Sequence, residues 1–426
     1  MRIMIIGSGG REHALSWKLG AERGVDDVLC VPGNAGIANT ARMAQCDASD
    51  PAALAALAAR EQIDLTIVGP ELPLDRGVVD RFRENGQRIF GPPRAAAQLE
   101  CSKVFAKRFM EKHGIPTARY RVCTASRDAR ALIASGEFGF PVVVKADGLA
   151  AGKGVVVAAD RAEAEQAIAA AMDERQFGDA GARVVIEECL TGPEVSFFAI
   201  CDGTRAVPVT SAQDHKRIFD GDRGPNTGGM GAFAPSPLVD DALGTEIMET
   251  IVDPVLRGMR ADGTEYRGFL YAGLMLTCSG PKVIEFNVRF GDPEAQAVMP
   301  LVDGDLLPLL ESGAEGDLRG NRVELREGVS VGVVLASAGY PGSITTGAPI
   351  DGLADAERVE GVTIFHAGTA LRDNAFVTSG GRVLTVVGTG RDYSEARARA
   401  YDAVRRISFD GMQYRTDIGL KALARA

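Results

Sequence analysis

A chain of 426 residues is longer than one ordinary hydrophobic core supports, and its length predicts roughly two to four domains. Hydrophobic residues at 46% and charged residues at 24% describe a well-packed globular protein. The formal charge of -10 argues against a general binder of nucleic acid or anionic membranes, yet a local cluster of lysines, arginines and backbone amides can still hold a phosphate.

The first predicted element is the apolar strand at residues 2–7, which meets the charged turn Gly7-Ser8-Gly9-Gly10 and a helix starting near Arg11. A strand so soon interrupted is no secretory leader, and no apolar run reaches membrane-spanning length, so a cytoplasmic chain is expected. The cysteines at 30, 46, 101, 123, 189, 201 and 278 are odd in number and lack paired spacing, which fits reduced thiols rather than a disulfide frame. An Ala-rich helix over 51–60, the apolar run 65–68 and the turn Gly69-Pro70-Glu71 continue a strand–helix alternation that predicts a parallel α/β domain over 1–101.

A helix over 103–112 opens the second domain, placed at 102–324. Within it, strands at 141–145, 154–158 and 183–188 enclose a Gly-rich loop and an Ala-rich helix. This unit, about 121–191, reads as a mobile lid. Further strands are expected near 194–200, 268–277 and 282–287. After a turn-rich stretch, runs at 329–337, 362–368 and 382–388 and a helix over 393–407 predict a third domain at 325–426. The expected fold class is multidomain, α/β in the N-terminal part and α+β beyond it.

Four segments carry chemistry. Gly7-Ser8-Gly9-Gly10-Arg11-Glu12 follows a strand and opens a helix, but a dinucleotide fingerprint needs glycine where Glu12 stands. Its amides still suit an anionic group at a helix N-terminus. The segment 145–155 (KADGLAAGKGV) sets glycines and two lysines between apolar strands, as a cover over a triphosphate requires. It is not a P-loop, because Gly154 follows the lysine where Ser or Thr belongs. Only nine of the 47 basic residues are lysines, which makes those in motifs more informative. Between 213 and 231 the glycines and small polar residues suggest a backbone nest around a polar ligand rather than core packing, and His215 reads equally as an acid–base group beside Lys216 or as a hydrogen-bonded loop residue. In 285–294 (EFNVRFGDPE), strand alternation puts Glu285, Asn287 and Arg289 on one face and Phe286, Val288 and Phe290 on the other. Two oxygen donors followed by a guanidinium suit a magnesium-bound phosphoryl group. The competing structural role for Arg289 is to pair with Asp292 or another surface acid and brace the turn.

These segments occur together with GPELPL at 69–74, EECLTGPEVSF at 187–197, GPNTGGMGA at 224–232 and a tail bearing HAGT and VVGTG. In that order they resemble the phosphoribosylamine–glycine ligases, or glycinamide ribonucleotide synthetases, of the ATP-grasp superfamily. The resemblance covers nearly the whole chain. It implies an N-terminal domain, a central ATP-grasp with an inserted lid, and a C-terminal domain.

It also implies ATP with Mg2+, Mn2+ being the alternative, and glycine and 5-phospho-D-ribosylamine as substrates joined through glycyl phosphate. No obligatory protein partner, nucleic acid or membrane is implied. Carried over residue by residue, Lys103, Lys145, Gly152, Lys153, Gly154, Glu187, Glu188, Leu190 and Glu194 would hold the nucleotide, and Glu285 and Asn287 the metal. Gly9, Gly10, Asp214, Asn226, Arg289, Gly291 and Asp292 would meet the other substrates, with Arg289 and Lys216 catalytic. Another ATP-grasp carboxylate–amine ligase is the nearest alternative; a nucleotide sensor and a dehydrogenase are more distant ones.

Overall fold

A computed structural model describes residues 1–149, 154–319 and 322–424. The expectations for Gly152 and Lys153 fall outside these residues.

The N-terminal strands are β1 (Arg2–Gly7), β2 (Asp27–Pro32), β3 (Arg42–Met43), β4 (Leu65–Val68) and β5 (Ile89–Phe90). They form a parallel sheet in the order β3-β2-β1-β4-β5. Strand β4 is buried throughout and β1 over all but its first residue, because elements cover both faces of the sheet. Chain order reverses between β1 and β4, and a doubly wound sheet opens its ligand crevice at that place. The GSGG turn leaves β1 there and the Gly69-Pro70-Glu71 turn leaves β4.

Next come β6 (Tyr120–Cys123), β7 (Val142–Ala146), β8 (Val155–Ala158) and β9 (Val184–Glu188), an antiparallel sheet in the order β6-β9-β7-β8. Its buried core, including Cys123, Ile133, Val144, Ile168 and Ile186, draws only on residues 123–186.

The largest sheet takes β10 (Glu194–Asp202) and β11 (Ala206–Asp214), and then, past the small hairpin β12 (Arg217–Phe219) and β13 (Arg223–Asn226), β14 (Gly231–Ala234). It continues with β15 (Arg267–Thr277), β16 (Gly280–Asn287), β17 (Val329–Ala336) and β18 (Val362–His366). Beyond the hairpin β19 (Thr369–Arg372) and β20 (Ala375–Thr378), it ends with β21 (Arg382–Gly390). The order is β16-β15-β10-β11-β14-β17-β21-β18, antiparallel throughout. One sheet therefore crosses from the central strands to the C-terminal ones, and the short β14 joins them. The closing helix is Tyr393–Val404, shorter than expected at its end.

Apolar packing is shared as well. One core cluster joins Met4 and Ile6 to Val195, Phe286 and Val288, and another joins Ile3 and Ile5 to Phe198, Tyr271 and Phe290. The N-terminal sheet is thereby seated against the strand that carries the Glu285–Phe290 motif. No helix among the described residues is long and apolar enough to cross a membrane.

Candidate active site

Lysines gather where β7 and β9 meet the helix Lys103–Lys112. Asp147 sets the geometry: its Oδ1 accepts from the Ser102 hydroxyl (2.9 Å) and the Val104 N–H (3.1 Å) at the start of that helix. Lys103 Nζ then donates to the Gly148 carbonyl (2.8 Å). Gly148 has φ +107, and a Cβ there would lie 2.9 Å from that of Ala180, so glycine is required. Gly154 is buried, and its carbonyl accepts from Ala146 N–H (2.8 Å).

The Glu187 carboxylate lies between two ammonium groups, Lys145 at 2.9 Å and Lys107 at 2.8 Å. All three side chains are less than a tenth exposed. Lys107 also donates to Thr117 Oγ1 and Lys145 to the Ile284 carbonyl. Lys145 approaches Glu187 Oε1 without a directed hydrogen bond, so this buried oxygen can accept one from elsewhere. Burial pushes the Lys107 amine down to about 8, against the pull of Glu187. Burial also lowers Lys103, opposed by Glu285. One residue further along β9 the side chain points the other way, and Glu188 is held by Arg119 through both the N–H (3.0 Å) and Nε (2.7 Å). Its carboxylate is thus engaged away from the lysines.

Across the cleft, Phe286, Val288 and Phe290 are buried as alternation predicts. Glu285 opens toward the cleft, its side chain 42% exposed, with Lys216 Nζ at 3.6 Å. The same ammonium is 3.3 Å from Glu194. Protein surroundings work to raise the Glu285 carboxyl, but Lys216, Lys145 and Lys103 outweigh them and hold it below the usual range. They work equally against the Lys216 ammonium, where Asp214, Glu285 and Glu194 prevail and hold it well above the usual lysine range. Burial pushes Asp214 up to about 7 against Lys216, with Glu294, Glu194 and Glu285 adding to the rise.

Among the described residues the Asn287 amide has no hydrogen-bonded partner, and no group of three or more His, Cys, Asp or Glu side chains is set to hold a metal. One ionised carboxylate and one free amide oxygen on the same strand face fit magnesium, which keeps waters and substrate phosphates as its other ligands.

Arg289 is held by two carboxylates: Glu100 lies 2.8 Å from Nη2 and Glu71 3.5 Å from Nε. The second Glu100 oxygen accepts from Val288 N–H (2.7 Å), which fixes the strand end together with the side chain. Burial raises Glu100 to about 7, Arg289 opposing. For Glu71 burial also acts upward, but Arg289 and Arg11 outweigh it. The expected alternative partner, Asp292, is instead bound by Gln296 (2.8 Å) and Arg382 (3.2 Å). Arginine is the better fit because its planar fork addresses two acids at once.

The GSGG turn is filled from within. Glu12 Oε2 accepts from Gly9 N–H (2.6 Å), and Arg11 pairs with its other oxygen (2.6 Å). A Cβ on Gly7 would lie 2.5 Å from Glu12 Cγ, and one on Gly69 2.1 Å from Glu12 Oε1. Glu12 thus places a carboxylate at the very turn where a dinucleotide would seat its pyrophosphate. Gly10 lets Gln296 approach, since a Cβ would lie 2.3 Å from Nε2, and a Cβ on Gly291 would meet Glu294 Oε2 at 2.4 Å.

Packing also explains glycines that were expected to form a ligand nest. Gly229 has φ +113 and a Cβ there would lie 2.4 Å from Pro293 Cδ, while one on Gly231 would lie 2.6 Å from the Gly332 carbonyl oxygen. Asn226 lies at the end of the hairpin opposite Arg217, its amide without a partner among the described residues. His215 departs from expectation too. It is buried, neither ring nitrogen has a hydrogen-bond partner, and burial with nearby Lys421 and Arg415 lowers it to about 4.

Comparison with known proteins places the chain in a family. Three family models match in succession: the phosphoribosylglycinamide synthetase N domain over residues 1–100, its ATP-grasp (A) domain over 101–295 and its C domain over 330–421. The chain belongs to the phosphoribosylglycinamide synthetase family. Among relatives of this family, the phosphoribosylamine–glycine ligase of Ralstonia nicotianae is 50% identical over 426 residues, covering 100% of both chains. The enzyme of that name from Pseudomonas aeruginosa is 50% identical over 430 residues, covering 100% of this chain and 99% of the other.

The crystal structure of the Thermotoga maritima phosphoribosylamine–glycine ligase superposes with a TM-score of 0.86 at 36% identity, covering 98% of this chain and 100% of that one. A biotin carboxylase from Campylobacter jejuni, at 17% identity and TM-score 0.75 over 99% of this chain and 95% of that one, shares the fold alone.

The structure pairs Lys145 with Glu187 and sets Lys216 beside Glu194 and Glu285, with Lys103 and Asp214 in electrostatic reach of this group, while Arg289 is held by Glu71 and Glu100. Leu190 follows β9 at its rim, half-buried. Reasoning from sequence missed Glu100, Lys107 and Arg382 and left Glu71 inside a motif without a role. Lys107 was findable, because it sits four residues after Lys103 and so on the same helical face. The others reach the site only through long-range packing.

Proposed function

We propose that this enzyme joins glycine to 5-phospho-D-ribosylamine at the expense of ATP, giving glycinamide ribonucleotide, ADP and phosphate. The observation that carries the reading is the Glu285 carboxylate held below its usual range by Lys216, Lys145 and Lys103, on the strand that also bears Asn287. Magnesium-bound ATP supplies the phosphoryl group that turns the glycine carboxylate into glycyl phosphate, an acyl donor that the amine can attack.

The chain's own residues bind, orient and screen. Lys103 and Lys145 lie where phosphate oxygens need countercharge. The free oxygen of Glu187 can accept from an adenine amino group, with the main chain near Leu190 and the carboxylate of Glu194 completing a nucleoside site. Glu188 contributes through its main chain, its carboxylate being engaged by Arg119. The loop bearing Gly152 and Lys153 is assigned as the phosphate cover that excludes water.

Glu285 and Asn287 are the metal ligands in this reading. Lys216 and Arg289 bring positive charge to the oxygens of the transferring phosphoryl group and the acyl phosphate. Gly9, Gly10, Asp214, Asn226, Gly291 and Asp292 line the side assigned to glycine and the phosphoribosylamine. The crevice at the ends of β1 and β4, next to Arg289, suits the anionic phosphoribosyl group.

ADP release should require glycine and freshly generated phosphoribosylamine together. Glu285→Gln and Asn287→Ala should each lower it by roughly a hundredfold while thermal melts stay near those of the parent. ADP release indifferent to either substrate refutes the ligase reading, and normal turnover in both variants refutes the metal assignment.

A further inference from the structure

The C-terminal tail carries a buried arginine that the reaction does not explain. Arg415 is 0% exposed, and all three of its nitrogens are used. Nε and Nη2 bind Asp417 at 2.7 and 2.6 Å, and Nη1 reaches Asp222 Oδ1 (2.9 Å) and the Arg217 carbonyl (3.0 Å). Asp222 and Arg217 belong to the β12–β13 hairpin, almost two hundred residues earlier in the chain.

Other tail bonds hold the same hairpin. Thr416 donates through its N–H to Asp220 (2.8 Å) and through its hydroxyl to the same carboxylate. Gly221 N–H donates to Asp417 (2.9 Å), and Lys421 pairs with Asp222 (2.7 Å). The tail is itself anchored, since Tyr401 donates to the Arg415 carbonyl (2.7 Å) and Arg397 to that of Thr416. Apolar anchoring of the hairpin rests on Ile218, buried with Met230 and Ala336, while Phe219 stands 53% exposed. Lys216 immediately precedes Arg217, and the Lys216 carbonyl is closed by the N–H and hydroxyl of Thr227, just past Asn226.

We propose that Arg415 is a positioning residue for the acceptor side of the active site, holding Lys216 and Asn226 in register through the hairpin between them. This rests on the assignment of Lys216 and Asn226 to the site. It adds that the C-terminal segment, which contributes no group to the chemistry, sets the affinity for glycine and phosphoribosylamine. A guanidinium is suited to the task because it binds a carboxylate in a fork and still reaches a carbonyl and a second acid, which no ammonium can do. The nucleotide wall of Lys103, Lys145 and Glu187 is built from other elements and does not depend on the tail.

The test uses the full enzyme with Arg415→Met, and Asp220→Ala with Asp222→Ala as a variant that leaves the buried arginine and its Asp417 partner intact. Tryptic cleavage at Arg217 and Arg223 reports release of the hairpin. The expected result is faster cleavage there and KM values for glycine and phosphoribosylamine raised at least about tenfold, with affinity for ADP, which lacks the phosphoryl group assigned to Lys216, within about twofold of the parent. Arg415→Lys should restore only part of the loss. A released hairpin with unchanged KM values overturns the proposal, and so does a hairpin that stays protected in the double variant. Equal losses of substrate and nucleotide affinity also overturn it, because that is the signature of general destabilisation. Should the parent enzyme release ADP without glycine, the functional reading fails instead, and tryptic release still reports the clamp separately.

Discussion

Arg289 shows how a residue drawn to a site by chemistry is also held there by structure. Its guanidinium lies just beyond the end of β16 and is bound by Glu71 and Glu100, two acids from the N-terminal region. Removing it leaves those carboxylates close together with little water to screen them. Arg289→Ala should therefore cost about 3 kcal/mol of stability and, per folded molecule, roughly a hundredfold in turnover.

The stability loss should depend on pH. Burial raises Glu100 to about 7, and without Arg289 it rises further, so ionising it costs stability as the pH climbs through that range. Urea denaturation should show a larger deficit at pH 8 than at pH 6. A deficit equal at both would remove Glu100 from the partnership, and near-parental turnover would leave Arg289 a brace alone.

At the scale of elements, the turns after β1 and β4 are tied together by a side chain of their own. The Glu12 side chain folds back over Gly7, Gly9 and Gly69, tying the turn after β1 to the turn after β4. Gly69→Ala would push a methyl group into that carboxylate and cost about 1–3 kcal/mol, read as a lowered melting temperature. An unchanged melt would mean that Glu12 yields freely and the two turns are not coupled.

The same elements show what local pattern conveys. In β16, the alternation of Glu285 and Asn287 with buried Phe286 was legible because a strand's period is two, although the strand ends at Asn287, before Arg289. The short β14 was not: Gly-Ala-Phe-Ala carries no alternation, and its four residues are all buried because strands flank it on both sides. The glycines at 229 and 231 misled for a related reason. A glycine that admits a ligand and one that admits a neighbouring chain look alike until the neighbour is known.

For the molecule as a whole, three of the four histidines are buried with lowered pKa values: His13 to about 3, His215 to about 4 and His366 to about 4. Burial is the first cause in each. The unfolded chain takes up these protons near 6.5, so between 6.5 and the folded value it binds more of them. The stability they allow above pH 6.5 is lost as the pH falls. Glu100 and Asp214, both raised to about 7, act in the opposite direction over part of that range.

Replacing one histidine isolates its share. His215→Leu, at a ring that makes no side-chain hydrogen bonds, should leave stability near pH 7.5 little changed. It should flatten the acid loss between pH 6 and 4.5 by up to about 1.4 kcal/mol per pH unit. Parallel stability curves for parent and variant would show that His215 takes up its proton in the folded state as readily as in the unfolded one.

Most of the longer elements and the three-part succession of the chain were readable from residue order, and the site residues were proposed from it. They depend on local periodicity and on short motifs whose chemistry is carried by neighbours in sequence. Folding alone decided that Glu188 turns to Arg119, that Glu71 and Glu100 share Arg289, that Glu12 fills its own turn and that Arg415 grips a distant hairpin. Each of those pairings is a choice among many acids and bases of similar character. Charge is long-ranged and unspecific along a sequence, and only the packed backbone selects which two groups come within hydrogen-bonding distance.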